Sequence, residues 1–185
     1  GETYDNAYLS TSFNGSWNTV YSGLVPDIDA MIEAGAASES WIHVGAGKIL
    51  KGYALQMLVD KHGAIPYSEA WQGTANLSPV VDDAQSVYAA VEGLYDEAIA
   101  DLNKTAIGAP GVDIFYGSDK SKWITLANTL KFRLALNEGN SGKIAAALSA
   151  GVIDEKSEDW VFQYGSNRQN PDSRHPWYGG AYESY

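Results

Sequence analysis

Between residues 87 and 102, the apolar side chains Val87, Val91, Leu94, Tyr95, Ala98 and Leu102 recur three or four positions apart or adjoin one another. That spacing sets all of them along one face of an α-helix. A strand cannot use it, because a strand sends alternate side chains to opposite faces. A helix with one apolar stripe must bury the stripe against another element. The rest of the chain therefore has to supply partners, and the same period returns in it.

Residues 11–35 carry Trp17, Val20, Tyr21, Leu24, Ile28, Met31 and Ile32 at helical spacing, behind the capping residues Thr11, Ser12 and Ser16. Pro26 is expected to kink or break this helix, and Gly35 to stop it. A second helix is expected from Ser38 or Ser40, with Ile42, Ala46, Ile49, Leu50, Tyr53, Ala54, Met57 and Leu58 on one face. Gly45, Gly47 and Gly52 within it permit close approach of a neighbour. The helix of the opening stripe starts at Asp82 or Asp83. A fourth, from a Ser118 or Asp119 cap to Gly139, turns Trp123, Leu126, Ala127, Leu130 and Leu134 inward, and a shorter one covers Lys143 to Ala150.

Between the helices lie the connector "KHGAIPYSEAW" (61–71), a turn-rich loop over 103–119 with a short strand expected at Val112 to Tyr116, and a possible strand "DWVFQYG" at 159–165. The remainder to residue 185 has no period and is expected to be a long ordered loop. The expectation is an all-α fold of TPR-like helical pairs, α-solenoid-like, with long loops and little strand, forming a single domain over 1–185. No strict repeat of TPR length is visible, so this reading rests on packing logic.

Composition narrows the function by exclusion. The chain has no cysteine, which removes disulfides, thiolate catalysis and cysteine-based zinc sites. Its net charge of -11 repels phosphate backbones and anionic lipid, so neither nucleic acid nor a membrane surface is an expected partner. "GAGKIL" and "GNSGKI" are not phosphate loops: Ile42 and Asn137 stand where the first glycine is needed, and Ile49 and Ile144 where a magnesium-binding hydroxyl is needed. His43, His62 and His175 form no metal-binding pair, no nucleophile elbow is present, and the carboxylates read as solvated helix faces. Neither metal, cofactor nor catalytic residue is expected. The aromatic set is biased: Tyr and Trp number 18 against 4 Phe. Rings with a polar edge suit wet interfaces and sugar-stacking surfaces.

Three blocks in order, "ALQMLVDKHGAIPYSEAWQG", "DDAQSVYAAVEGLYDEAIADLNK" and "DIFYGSDKSKWITLANTLKFRLAL", resemble the SusD/RagB family of Bacteroidetes outer-membrane proteins, over about Trp17 to Leu136. His62 takes an aromatic place ahead of Gly63. The resemblance implies a TPR-like helical scaffold and a surface-exposed outer-membrane lipoprotein, non-enzymatic, that captures glycans and passes them to a SusC-like TonB-dependent transporter. The lipidated cysteine of the family is missing and members are much longer. The chain is therefore expected to be a trimmed, N-terminal portion whose only membrane link is a lipid anchor outside it.

The candidate ligand-binding residues are Trp41, Trp71, Trp177 and Tyr178 as stacking rings, with Asn76 and Arg174 as hydrogen-bonding partners. Trp177 and Tyr178 rank first, because "RHPWYGG" offers no regular element to bury them. The competing reading is a helical adaptor that binds peptide or protein, including peptide-importing members of the family. A carboxylate-dependent hydrolase is the weakest alternative.

Overall fold

The structure, a computed structural model, describes residues 11–106, 111–169 and 172–181. The middle of the expected 103–119 loop, residues 107–110, and residues 170–171 and 182–185 of the tail lie outside the described residues. The described elements are helical: α1 (Asn14–Asn18), a π-helical segment (Thr19–Leu24), α2 (Val25–Ala37), α3 (Trp41–His62), α4 (Ala84–Leu102), α5 (Lys120–Glu138), α6 (Ser141–Ala150) and α7 (Pro176–Ala181). Among the described residues there is no strand, only one isolated antiparallel bridge between Ile65 and Asp82. No described helix is long and apolar enough to cross a membrane.

Helix α3 is the centre, packed against α2, α4 and α5. Its glycines make this possible. A Cβ on Gly45 would lie 2.4 Å from Leu102 Cγ, and one on Gly52 would lie 2.5 Å from Tyr95 Cε1. Gly47 faces α2 instead, where a Cβ would fall 2.7 Å from Ile32 Cγ1. Gly45 and Gly52 are two helical turns apart and share a face, so they form adjacent sockets for the large residues of the α4 stripe. Within that stripe Val87, Val91, Tyr95, Ala98 and Leu102 are buried. Helix α5 adds Trp123, Leu126, Ala127, Leu130 and Leu134 to the same core. Ion pairs cross each seam: Lys51 to Asp29 (2.7 Å), Lys48 to Glu97 (2.8 Å), Lys131 to Asp96 (2.5 Å) and Lys143 to Glu92 (2.7 Å). Each exposed pair contributes at most about 1 kcal/mol, so they set register more than stability.

Helix ends follow local chemistry. Asp83, Asp119 and Asn140 cap α4, α5 and α6 by accepting from the backbone N–H of Ser86, Ser121 and Lys143. Gly63 and Gly139, both at positive φ, close α3 and α5. Three expectations are corrected. Gly35 does not stop α2, which runs on to Ala37; Gly35 is buried beside Val44, and the turn comes at Glu39, which takes the left-handed conformation. Pro26 does not break the first helix either. It falls in the first turn of α2, straight after the π-helical segment, where Val25 N–H bonds Val20 O five residues back. The N-cap position of α1 is held by Phe13 and by none of Thr11, Ser12 and Ser16, and Ser16 Oγ donates to Phe13 O (2.9 Å).

Neither expected strand forms. Residues 112–116 fold around Asp113, whose carboxylate accepts from the backbone N–H of Phe115, Tyr116 and Ser118 and from Trp123 Nε1. One side chain collects donors that a sheet ladder would have used. Residues 159–165 are held through their rings, as described below. The tail also gains a short helix, α7, with Pro176 at its start and His175 Nδ1 accepting from Trp177 N–H (3.2 Å).

A paired substitution tests the glycine sockets. Gly52→Ala must displace the buried Tyr95 ring and is expected to destabilise by about 1–3 kcal/mol. Gly93→Ala, in α4 with nothing within 4 Å of the new Cβ, is expected to stabilise by about 0.5–1 kcal/mol. Urea midpoints of the two variants should move in opposite directions.

Candidate functional site

A connected series of aromatic rings runs from the core to the surface at the C-terminal end. Its base is Trp123, fully buried, with Phe115 edge-on at 6.0 Å. Phe115 meets Trp160 (5.5 Å) and Phe162 (6.2 Å), and Phe162 meets Tyr164 (4.9 Å). The series crosses to the other limb of the tail through Tyr164 and His175 (4.6 Å) and ends at Trp177 (6.1 Å from His175). Ring pairs of this edge-on kind each add about 0.5–1.5 kcal/mol beyond their burial. The extended segment is thus fixed without a strand partner.

The two limbs are tied by backbone bonds, Gly165 N–H to Ser173 O (2.8 Å) and Ser173 N–H to Asn167 O (3.2 Å). Gly165 lets the limbs approach closely, since a Cβ there would stand 2.3 Å from Ser173 Oγ and 3.0 Å from Ser173 Cβ and would make Ser173 shift. Between the limbs opens a cleft of about 450 Å³ lined by Tyr164, Ser166, Arg168, Arg174, His175 and Tyr178, with Gly165 at its base. Arg174 binds Asp172 through Nε (3.1 Å) and Nη2 (3.0 Å), and its guanidinium lies 5.1 Å from the centre of the Tyr178 ring. This ion pair holds the Asp172 carboxyl below the usual range. Trp177, next to the cleft, is 79% exposed. Exposed rings on a backed framework beside fixed polar groups can hold a flat molecule that has one apolar face and many hydroxyls.

The six sequence candidates separate into places. Trp177, Tyr178 and Arg174 meet at this cleft. Trp41 stands at the start of α3, with the Lys104 ammonium 4.0 Å from its ring centre. Asn76 lies in the connector, donating to Glu69 Oε2 (2.9 Å) and accepting from Ser78 N–H (3.0 Å). Trp71 stacks on Tyr21 at 5.2 Å, 16° from parallel, and donates from Nε1 to Tyr21 O (3.0 Å). In a π-helical register the partner of that carbonyl is the N–H of residue 26, and residue 26 is proline. The indole supplies the donor the helix lacks. Trp71 takes positive φ to do so, a conformation that costs about 1–3 kcal/mol in a bulky residue.

Tyr164 and His175 line the cleft without having been singled out. Their signal was present: Trp160, Phe162 and Tyr164 alternate, a period that reads as a strand but also puts three rings on one side of an extended segment.

The Trp41 corner has a charge network. Asp101, buried, accepts from Lys104 (2.5 Å) and Lys48 (2.8 Å). Burial alone would raise its carboxyl pKa, but the two ammoniums outweigh that and hold it below the usual range. The pairs therefore stabilise the fold above the unfolded carboxyl value, about 3.9, and that contribution is lost as pH falls through the lower folded value. Asp101→Asn is expected to cost about 2 kcal/mol at pH 7. The difference from wild type in urea midpoint should shrink on acidification below pH about 4.

Comparison with known proteins places the chain. The SusD-like family model, described as "Starch-binding associating with outer membrane", matches residues 2–181. The chain belongs to the SusD-like family. Solved structures agree with the assignment of this SusD-like chain. A chitin-binding protein is 27% identical, with a TM-score of 0.71, over 83% of this chain and 34% of that one. A SusD-like protein from Bacteroides thetaiotaomicron is also 27% identical, with a TM-score of 0.65, over 78% of this chain and 31% of its own. A SusD/RagB family protein from the same organism, at 24% identity, shares the fold with a TM-score of 0.79 over 98% of this chain and 39% of that one. The SusD-like chain thus spans between 31% and 39% of these structures. No curated protein matches it.

Proposed function

We propose that this chain is one helical unit of a non-catalytic, surface-exposed glycan-binding protein. It works in polysaccharide or oligosaccharide uptake at the outer membrane, where a lipid anchor holds the full-length protein and a TonB-dependent transporter receives the ligand. The observation that carries the reading is the C-terminal cleft: an exposed Trp177 at the end of a ring series rooted in the core, beside Arg174, Arg168 and Tyr178. A pyranose ring presents C–H groups that pack on an indole face, and its hydroxyls bond to planar polar side chains. The family's description as starch-binding and the chitin-binding name of a structure 27% identical to this chain support the same ligand class.

Trp177, Tyr178 and Arg174 remain the contact residues of this reading, joined by Tyr164 and His175. Trp41, Trp71 and Asn76 are engaged within the fold and are left out of it. Native affinity electrophoresis of wild type and Trp177→Ala through gels of starch, soluble chitin derivatives and other neutral polysaccharides is the test. Retardation of wild type is expected in at least one gel, with a Kd raised about fivefold or more in the variant. Wild-type mobility unchanged by every polysaccharide overturns the reading.

A further inference from the structure

At the opposite end of the helical core, α3, α4, α5 and α6 meet around Tyr88. Two hollows open there, of about 490 Å³ and about 410 Å³, and both are bordered by Ala84 and Tyr88. They are therefore neighbouring halves of one groove with the Tyr88 side chain between them. Each half is within the size range of small-molecule clefts, about 300–1,000 Å³.

The first half is preorganised by one carboxylate. Asp60 accepts from the Tyr88 hydroxyl, from Arg133 Nη2 (3.2 Å) and from Asn137 Nδ2 (3.2 Å). Three helices thereby hold a phenol, a guanidinium and an amide in fixed orientations. In the second half, Lys143 is held by Glu92 (2.7 Å) and Glu138 (2.9 Å). The Gln85 side chain, exposed on the same wall, makes no hydrogen bond among the described residues. The charged groups at the groove are Asp60, Glu92 and Glu138 against Arg133 and Lys143, and each is already paired with another of them, in a chain whose net charge is -11. A polyanion gains no net attraction from such a site. A neutral molecule with many hydroxyls matches it: amides donate to or accept from hydroxyls, carboxylate oxygens accept from them, and the Tyr88 ring offers an apolar edge.

We propose that the Tyr88 groove is a second carbohydrate subsite, which takes a neutral pyranose unit against Tyr88 with Asn137 and Gln85 contacting its hydroxyls. The inference rests on the glycan-binding reading and adds a contact region on the far side of the core. Two weak subsites on one chain raise the apparent affinity for a long polymer without strengthening either contact.

The test is an amide NMR titration of the whole chain with maltoheptaose and, separately, with chitohexaose. It follows the side-chain NH₂ signals of Gln85 and Asn137 together with the backbone signals of 164–178. Shifts at Gln85 and Asn137 that persist in Trp177→Ala, and a Kd read at the Gln85 signal raised roughly three- to tenfold in Asn137→Ala, support the subsite. Gln85→Ala should raise the Kd read at the Asn137 signal and leave the thermal unfolding midpoint unchanged, which separates ligand contact from a helix staple. Shifts confined to 164–178 overturn the subsite and leave the C-terminal reading standing. Shifts confined to the Tyr88 groove support the subsite and overturn the C-terminal one. Silence at both places overturns both.

Discussion

The contact on which the remainder of the structure depends is the seating of Tyr95 and Leu102 into the glycine sockets of α3. Two helices normally stand 8–10 Å apart, with the distance set by the side chains between them. Here one helix gives up its side chains at Gly45 and Gly52 so that its neighbour can keep large ones. The Tyr95 hydroxyl then reaches Gln56 Oε1 (3.2 Å) inside the core, and burial pushes its phenol pKa far up. Gln56 Nε2 has no partner among the described residues, a cost of about 1–3 kcal/mol that the surrounding apolar burial has to offset. Helix α2 uses the other face of α3 through Gly47, and α5 covers what is left.

The connector illustrates how a loop can be as specified as a helix. Asp82 accepts from the backbone N–H of Tyr67 (2.8 Å) and Ser68 (2.9 Å) and from Ser68 Oγ (2.7 Å), which depresses its pKa. The Tyr21 hydroxyl donates to Pro66 O (2.6 Å), and burial pushes that phenol up to about 12. Main-chain groups that no helix satisfies are here satisfied by side chains, one by one.

Helices were legible in the sequence because burial imposes their period: the stripe from Val87 to Leu102, except the partly buried Leu94, and the set from Trp123 to Leu134 are core in the structure. Asp83, Asp119 and Gly139 were legible as ends because a cap is a local matter of one side chain or one dihedral angle. What stayed hidden depends on partners far along the chain. The alternation of Trp160, Phe162 and Tyr164 has the period of a strand, and only the positions of Phe115 and His175 turn it into a ring series. Gly35 has the identity of a helix stop but is used for close contact with Val44. Of the candidate site, Trp177 and Tyr178 are exposed as expected but not for the expected reason, because both stand in a regular element, the short helix α7. The other wall of the cleft could not be read, since nothing local says that Tyr164 faces His175.

Pro26 and Trp71 have a consequence for how the molecule opens. A proline leaves one carbonyl of the first helix without a donor, and a tryptophan fifty residues later fills the vacancy. Neither segment can loosen alone, because release of the indole exposes the carbonyl and unwinding of the helix strands the indole. The first helix and the connector are in this way one cooperative unit. Amide protons of both should then exchange with solvent at a common rate, although one segment is a regular helix and the other has scarcely any regular structure.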